Sequence, residues 1–256
     1  MKEVLAYIEK KQQVFSKLEF FEFLQDKSIS PKQRLAFAPC FAPFVMGFGE
    51  LNQYVWRDES SDDPLQAIIN QHTHEDDGHW VWFLEDLDKL GFNKSLSFTD
   101  ALKFIWSKEL KISRQTFYEI YRCTSKATPI NRLVAIEAVE AIADIFLSCT
   151  KKVSEDLKLT SNLEYKYFGM HHYSIDTNHS MDSSETVDLI CNINLDVDAE
   201  KEALEIVDQM FEIFTNFVNV LVNNARKYKL DNSFNNQSNK LTRITKLEHY
   251  SLPKAS

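Results

Sequence analysis

Glycine and proline are scarce in this chain, with 5 Gly and 6 Pro among 256 residues. Tight turns between β-strands depend on glycine, so this shortage is untypical of a β-rich protein and typical of long helices joined by short loops. The chain also lacks an apolar run of membrane-spanning length. Its first residues, MKEVLAYIEKKQQ, are charged throughout and contain no apolar signal core. We therefore expect a helical protein of the cytoplasm that has no membrane partner.

Cysteine pairs and basic stretches are also missing. The four cysteines, Cys40, Cys123, Cys149 and Cys191, are far apart and form no CxxC pair. This spacing argues against a disulfide framework and against a cysteine zinc site, so we expect reduced, mostly buried thiols. The net charge is −9 and no basic stripe runs along any segment. Such a balance argues against nucleic acid as a partner.

Apolar residues recur at helical spacing along most of the chain, and 19 Phe provide bulk for a large core. The predicted helices are 3–26, Pro31 to about Trp56 with a kink or break at Pro43, Pro64 to near Gly91, 97–109, 113–125, a long helix from Pro129, one from about Leu163, and 198–228.

Residues 184–193, SETVDLICNI, fit either a further helix or a short extended link. Residues 231–256 are polar and rich in Asn, with few large apolar side chains, which is typical of a mobile tail. The sequence therefore predicts one all-α domain over residues 1–230, followed by a tail.

Six of the seven histidines fall in two short windows that also contain carboxylates. In the second window His172, Asp176 and His179 are spaced i, i+4, i+7, which places them on a helical stripe about 60° wide. Imidazole and carboxylate together suit iron, manganese or zinc. A solvated polar stripe could carry the same residues, but the aromatic and apolar side chains over 167–175 predict burial. His171 points about 100° away and is read as a bystander.

The first window repeats this pattern with more choices. Asp76 precedes His79 by three residues, Glu75 precedes it by four and His72 precedes it by seven. A carboxylate one turn from a histidine is the pairing that helix-bundle diiron sites use. The stretch HEDDGH also fits a solvated, salt-linked surface, and Gly78 weakens the helix there. The residue spacing leaves open which of the three residues joins His79 as a ligand.

Two further carboxylates lie within apolar runs. Glu50 lies in FVMGFGELNQYVW, and Glu137 and Glu140 lie in AIEAVEAIADIF. A carboxylate on a buried face must be paired or coordinated, although each of these could also point outward from its helix. We prefer Glu140 to Glu137 as a ligand. Four carboxylates would balance two ferrous ions, and neutral histidines would complete the ligand set: Glu50, Glu75 or Asp76, Glu140 and Asp176, with His79, His172 and His179.

These residues resemble the haem-oxygenase-like diiron oxidases and oxygenases, including the CADD-like proteins. The late HxxxDxxH motif of that family matches His172, Asp176 and His179, and Glu140 lies 32 residues before it. The stretch EDDGH is similar to the family's early acidic-then-His segment, and Glu50 corresponds to the extra Glu of some members. The resemblance covers roughly residues 10–225.

The chain departs from the family pattern at two places. Some members carry the early acid three residues before the histidine, which is Asp76 here, whereas the CADD-like ones carry it seven before, where this chain has His72. The residue before Glu140 is Val139. The CADD proteins that make p-aminobenzoate from their own tyrosine carry Tyr there, so the resemblance does not extend to that self-sacrificing chemistry.

The resemblance implies a single-domain, haem-oxygenase-like helical bundle. It also implies two iron ions, or iron with manganese, and O2 as a co-substrate for oxidising a fatty acid, an amino acid or an amine, and it is compatible with a homodimer. The alternatives are a metal-free TenA-like enzyme with a Cys nucleophile, a haem protein, a zinc hydrolase, and a non-catalytic CADD-like interaction protein.

Overall fold

The computed structural model of the chain describes residues 1–93, 95, 97–176 and 184–227. Every regular element within those ranges is a helix. The elements are α1 (Lys2–Phe15), α2 (Glu19–Gln25), α3 (Pro31–Arg34), α4 (Ala38–Leu51) with a π-helical extension (Asn52–Trp56), α5 (Pro64–Asp76), α6 (Trp80–Lys89), α7 (Phe98–Ile105), α8 (Lys111–Thr124), α9 (Pro129–Ser161), α10 (Met170–Asp176), α11 (Ser184–Cys191) and α12 (Val197–Lys227). None of these helices has both the length and the apolar character needed to cross a membrane.

The two longest helices, α9 and α12, pack along each other, and α1 and α8 pack against both. Helix α4 packs on α8 and α6, while α5 and α10 pack on α9. The buried residues of α12 recur every three or four positions, the spacing of one helical face, so burying this stripe orients the helix. They include Ala203, Val207, Met210, Phe214, Phe217 and Leu221.

Phenylalanine rings fill the middle of the bundle. Phe41 of α4 stacks on Phe146 of α9, with ring centroids 5.0 Å apart, and on Phe217 of α12, at 5.4 Å. Phe37 makes edge contacts with Phe20 and Phe168. These rings join helices that are distant in sequence, because each aromatic side chain buries a large apolar area.

The first predicted helix divides in two. Residues 16–18 separate α1 from α2. Ser30 caps the N-terminus of α3, since its Oγ accepts the N–H of Gln33 at 3.3 Å. Residues 184–191 form α11, so of the two predicted possibilities for this segment the helix is confirmed.

The helix predicted from Pro31, with a kink or break at Pro43, is wrong about the place of the break, because the chain is interrupted at residues 35–37 while α4 continues through Pro43. Pro39 accounts for this break. It has no N–H to donate to the carbonyl of Leu35, which favours a new helix start here, because the N–H groups of a first turn have no intrahelical partner anyway.

The continuous helix predicted over 64–91 is also wrong, since a turn at 77–79 separates α5 from α6. Gly78 costs about 1 kcal/mol in a helix interior and favours the break. Arg57 holds the end of α5, because its Nη2 donates to the carbonyl of Thr73 at 2.8 Å. That carbonyl also accepts the N–H of Asp77 at 3.2 Å, and Nη2 donates to Oδ2 of Asp77 at 2.6 Å, so Arg57 is bound at the C-terminal end of α5.

The helix predicted from about Leu163 begins later, at Met170. The preceding loop has a partner outside itself. The buried carboxylate of Asp86 on α6 accepts the backbone N–H groups of Lys166 and Phe168, at 2.9 and 3.0 Å. These two N–H groups therefore donate to a side chain of α6 instead of to backbone carbonyls within a helix.

A side chain caps the first turn of α5. The Oδ1 of Asp63 accepts the N–H of Leu65 at 2.8 Å. We expect Asp63→Ala to lower the free energy of unfolding by about 1 kcal/mol in denaturant titrations followed by circular dichroism. The neighbouring Asp62 is exposed and supplies no cap, so Asp62→Ala is the matched control. An equal loss in both variants would contradict the capping role.

Candidate metal centre

Two groups of buried His, Asp and Glu side chains lie side by side among the described residues. Within each group one ligand atom of every residue lies within 4.8 Å of the others, as binding to a single metal ion requires. The first group is His72, Asp76 and Glu140, and the second group is His79, His172 and Asp176.

The first group joins α5 to α9. One turn of α5 separates His72 from Asp76, and the Nε2 of His72 lies 3.3 Å from Oδ2 of Asp76. Glu140 of α9 reaches the same nitrogen, with Oε1 at 3.4 Å. The side chain of His72 is 0% exposed and that of Asp76 is 5% exposed, so both atoms face the interior.

The second group joins the turn before α6 to α10. The Nε2 of His172 lies 2.9 Å from Nδ1 of His79 and 3.4 Å from Oδ2 of Asp176. His172 and Asp176 are one turn apart on α10, as their spacing predicts. The ring of Trp82 stacks on His79, with centroids 4.4 Å apart and planes at 22°, and holds that imidazole in place.

Asp76 connects the two groups. Its Oδ2 faces His72 in the first group, and its Oδ1 lies 3.9 Å from Nδ1 of His79 in the second. The two oxygens of one carboxylate therefore face different groups. If each group held an ion, Asp76 would be a residue that both sites share.

Burial and nearby charge act in opposite directions on the first group. Burial lowers the pKa of His72, but the negative charges of Asp76 and Glu140 outweigh it and raise that pKa to about 9. Burial raises the pKa of Asp76 to about 7, with His72 opposing this shift and Glu140 adding to it. Without a metal ion, protons held by His72 and Asp76 thus offset the negative charge of this group, which a bound divalent cation could offset instead. The donor set fits divalent ions on this ground.

The tautomer of His172 follows from its backbone contact. Its Nδ1 lies 2.9 Å from the carbonyl oxygen of Tyr167. A carbonyl only accepts hydrogen bonds, so Nδ1 carries the proton and Nε2 is left as the donor atom for a metal. A backbone carbonyl behind a ligating imidazole is a common arrangement in protein metal sites.

A cavity of about 80 Å³ opens beside both groups. Candidate ligands line one end of it, namely Asp76, His79, Glu140, His172 and Asp176. Seven phenylalanines are the most frequent residue type in the remaining wall, and there is no Lys or Arg among the described lining residues. The cavity is therefore largely apolar, and its only charged or imidazole side chains among the described lining residues are the candidate metal ligands.

The structure brings together six of the nine residues predicted as ligands. Glu50 is exposed on α4, and Glu75 is half-buried outside both groups. His179 lies outside the described residues, as does the predicted tail, so both stay predictions. Glu137, the alternative to Glu140, is half-buried and also outside both groups. His171 is exposed, in agreement with its interpretation as a bystander.

His72 and Asp76 are both present, although the spacing had offered them as alternatives. The turn at 77–79 separates His79 from α5, so that α5 serves the first group and His79 serves the second. Two supporting groups were missed from sequence, namely Asp86 and the carbonyl of Tyr167. The one local signal for Asp86 is its position seven residues after His79, which is about two helical turns.

The bundle is similar to the crystal structure of a domain of unknown function with a haem oxygenase-like fold from Shewanella denitrificans OS217. The TM-score is 0.61 over 86% of this chain and 90% of that chain, at 14% sequence identity. This likeness confirms the predicted fold class, an all-α bundle of the haem-oxygenase-like fold. No profile of a known protein family matches the chain, and no curated protein matches it significantly.

Proposed function

We propose that this protein is a non-haem diiron oxidase or oxygenase that uses O2 to oxidise a small organic substrate. One observation carries the proposal: two buried His/carboxylate groups meet at Asp76, and five of their six residues line a largely apolar cavity. Imidazole with carboxylate suits iron and also accepts manganese. Two ferrous ions bound there would supply two of the four electrons that reduce O2 to water, and the oxidised substrate would supply the other two.

The protein's own part is to hold the ions and to keep water away. Three histidines and three carboxylates converge from α5, the turn before α6, α9 and α10, so binding would join four segments of the bundle. The phenylalanine walls limit the access of water to the oxidising site, which suppresses side reactions.

The cavity favours one of the three substrate classes that the family resemblance implies. An amine or an amino acid carries a positive charge that needs a carboxylate partner, and the described lining offers carboxylates only among the candidate ligands. An aliphatic acid needs just one polar contact, which the metal ions can provide, and its chain fits the phenylalanine wall. We therefore propose an apolar substrate with a single acidic head group.

The metal-free alternative, with a cysteine nucleophile, has less support. Burial raises the pKa of Cys123 and of Cys149, which disfavours the reactive thiolate. Cys40 is also buried. None of the four cysteines lines the cavity among its described residues.

The proposal is tested by oxygen consumption after anaerobic loading with ferrous iron. We expect the loaded protein to consume O2 faster than an equal concentration of iron in buffer, and faster still with a medium-length aliphatic acid. The amine of the same chain length should not accelerate it, and the zinc-loaded protein should consume none. An uptake rate no higher than that of iron in buffer would contradict the proposal.

A further inference from the structure

We propose that Asp86 is a positioning residue for the metal centre, fixing the tautomer and orientation of His172 through the backbone of residues 166–168. This inference rests on the proposed function, because it assigns a second layer of support to the same centre. It is carried by a continuous chain of hydrogen bonds between α6 and α10.

The first link is a carboxylate that binds two backbone amides. Asp86 is 0% exposed. Its Oδ1 accepts the N–H of Lys166 at 2.9 Å, and its Oδ2 accepts the N–H of Phe168 at 3.0 Å. Hydrogen bonds to a charged acceptor are stronger than neutral ones, so this loop is held firmly on both sides of Tyr167.

The second link runs from the loop to the candidate ligand. Because both flanking amides are bound to Asp86, the intervening carbonyl of Tyr167 is held in one direction. That carbonyl accepts the Nδ1 proton of His172 at 2.9 Å. The opposite ring nitrogen, Nε2, then points to His79 and Asp176. Second-layer partners of this kind tune ligand orientation and basicity.

The loop itself leaves little room for other conformations. A Cβ on Gly169 would lie 2.0 Å from the carbonyl oxygen of Tyr165, so the turn into α10 is closed tightly. Helix α6 thus begins beside one candidate ligand, His79, and carries Asp86 about two turns later. A shift of α6 would therefore move His79 directly and His172 through the loop.

The test compares Asp86→Asn with Glu85→Gln. Asparagine keeps the size of Asp86 but has only one acceptor oxygen, so one of the two loop amides loses its partner. Glu85 is the neighbouring carboxylate and contacts the Lys166 side chain, with Nζ at 3.0 Å from Oε1, instead of the backbone amides. Two measurements apply to each protein: the His172 tautomer by long-range ¹H–¹⁵N NMR without metal, and Co²⁺ affinity by titration of its visible absorption.

We expect the wild type and Glu85→Gln to show His172 protonated at Nδ1 and to bind Co²⁺ equally well. In Asp86→Asn we expect a mixture of tautomers and a Co²⁺ affinity that is roughly 10- to 100-fold weaker. A purely structural role would lower the melting temperature without changing either measurement, and that result would overturn the proposal.

The wild-type tautomer decides the proposal even if Asp86→Asn does not fold. A His172 protonated at Nε2 in the metal-free wild type would overturn it directly. Wild-type protein that binds no Co²⁺ would instead contradict the proposed function, and the NMR comparison of the metal-free wild type with Asp86→Asn would still decide whether Asp86 orients His172.

Discussion

Replacing His172 by alanine should remove the ion held with His79 and Asp176 and leave the helical fold in place. His172 is the residue in closest contact with the other two members of its group, at 2.9 and 3.4 Å. We expect iron content after anaerobic loading to fall from about two ions per chain to about one or fewer, with at least ~100-fold weaker binding at the second group. Elemental analysis after desalting measures this change.

His171→Ala is the matched control for that experiment. His171 is the adjacent residue and is exposed, with its ring against Trp82 at 4.6 Å. We expect this variant to bind iron as the wild type does. Circular dichroism should give the same helical signal for all three proteins. Equal iron content in the wild type and in His172→Ala would contradict the placement of an ion in the second group.

The metal-free protein should lose stability as the pH rises from about 6.5 to 9. The ordinary pKa of His is 6.5, and the folded protein raises the pKa of His72 to about 9. Between these values the folded state holds a proton that the unfolded state has released, so stability is greatest below pH 6.5 and is lost as the pH passes 9. The full effect is on the order of 3 kcal/mol at most.

Asp76 also makes the stability fall with rising pH, but over a lower pH range. Its pKa is raised from 3.8 to about 7, so the folded state again holds the extra proton and stability falls as the pH rises through 7. Metal binding releases these protons, so metal affinity should rise over the range in which metal-free stability falls. The pH dependence of metal affinity and that of metal-free stability therefore arise from the same two groups, His72 and Asp76.

Urea titrations in a chelator at several pH values between 6 and 9.5 measure the stability change. Glu140→Gln removes one of the charges that raise the pKa of His72, and we expect it to flatten the curve. The control is His74→Gln on the same helix, since His74 is exposed and contacts the exposed Glu59. A metal-free stability that is constant or rises from pH 6.5 to 9 would refute this interpretation of the first group.

Sequence spacing predicted those parts of the centre that lie within one helix. His172 and Asp176 share a turn of α10, so their common direction follows from helical geometry alone. The role of His79 was harder to predict because of the turn at 77–79. Spacing along an unbroken helix treats His72 and Asp76 as rivals, whereas the break lets both contribute to the first group.

Choices that depend on packing between helices could not be made from spacing. Glu137 and Glu140 are one turn apart on α9, and only the position of α5 beside Glu140 distinguishes them. Glu50 lies in a very apolar run, yet it is exposed while the adjacent Gly49 lines the cavity. The direction in which a helix faces is set by its neighbours, and composition shows only that some face is buried.

The helical fold itself was predicted well, but the ends of its helices were not. Periodicity identified most of the helices because apolar stripes extend over several turns. The breaks depend on single residues and on distant partners. Pro39 favours the break between α3 and α4. Asp86 accepts two backbone N–H groups that could otherwise have formed an earlier start of α10. A partner 80 residues away, as between Asp86 and Lys166, leaves no local pattern.

The most direct test of a shared dinuclear centre is the anomalous diffraction of crystals grown anaerobically with ferrous iron. The structure predicts two anomalous peaks per chain, one among His72, Asp76 and Glu140 and the other among His79, His172 and Asp176. Asp76 should lie between them. Peaks confined to the protein surface, or none at either group, would contradict a metal centre in this bundle.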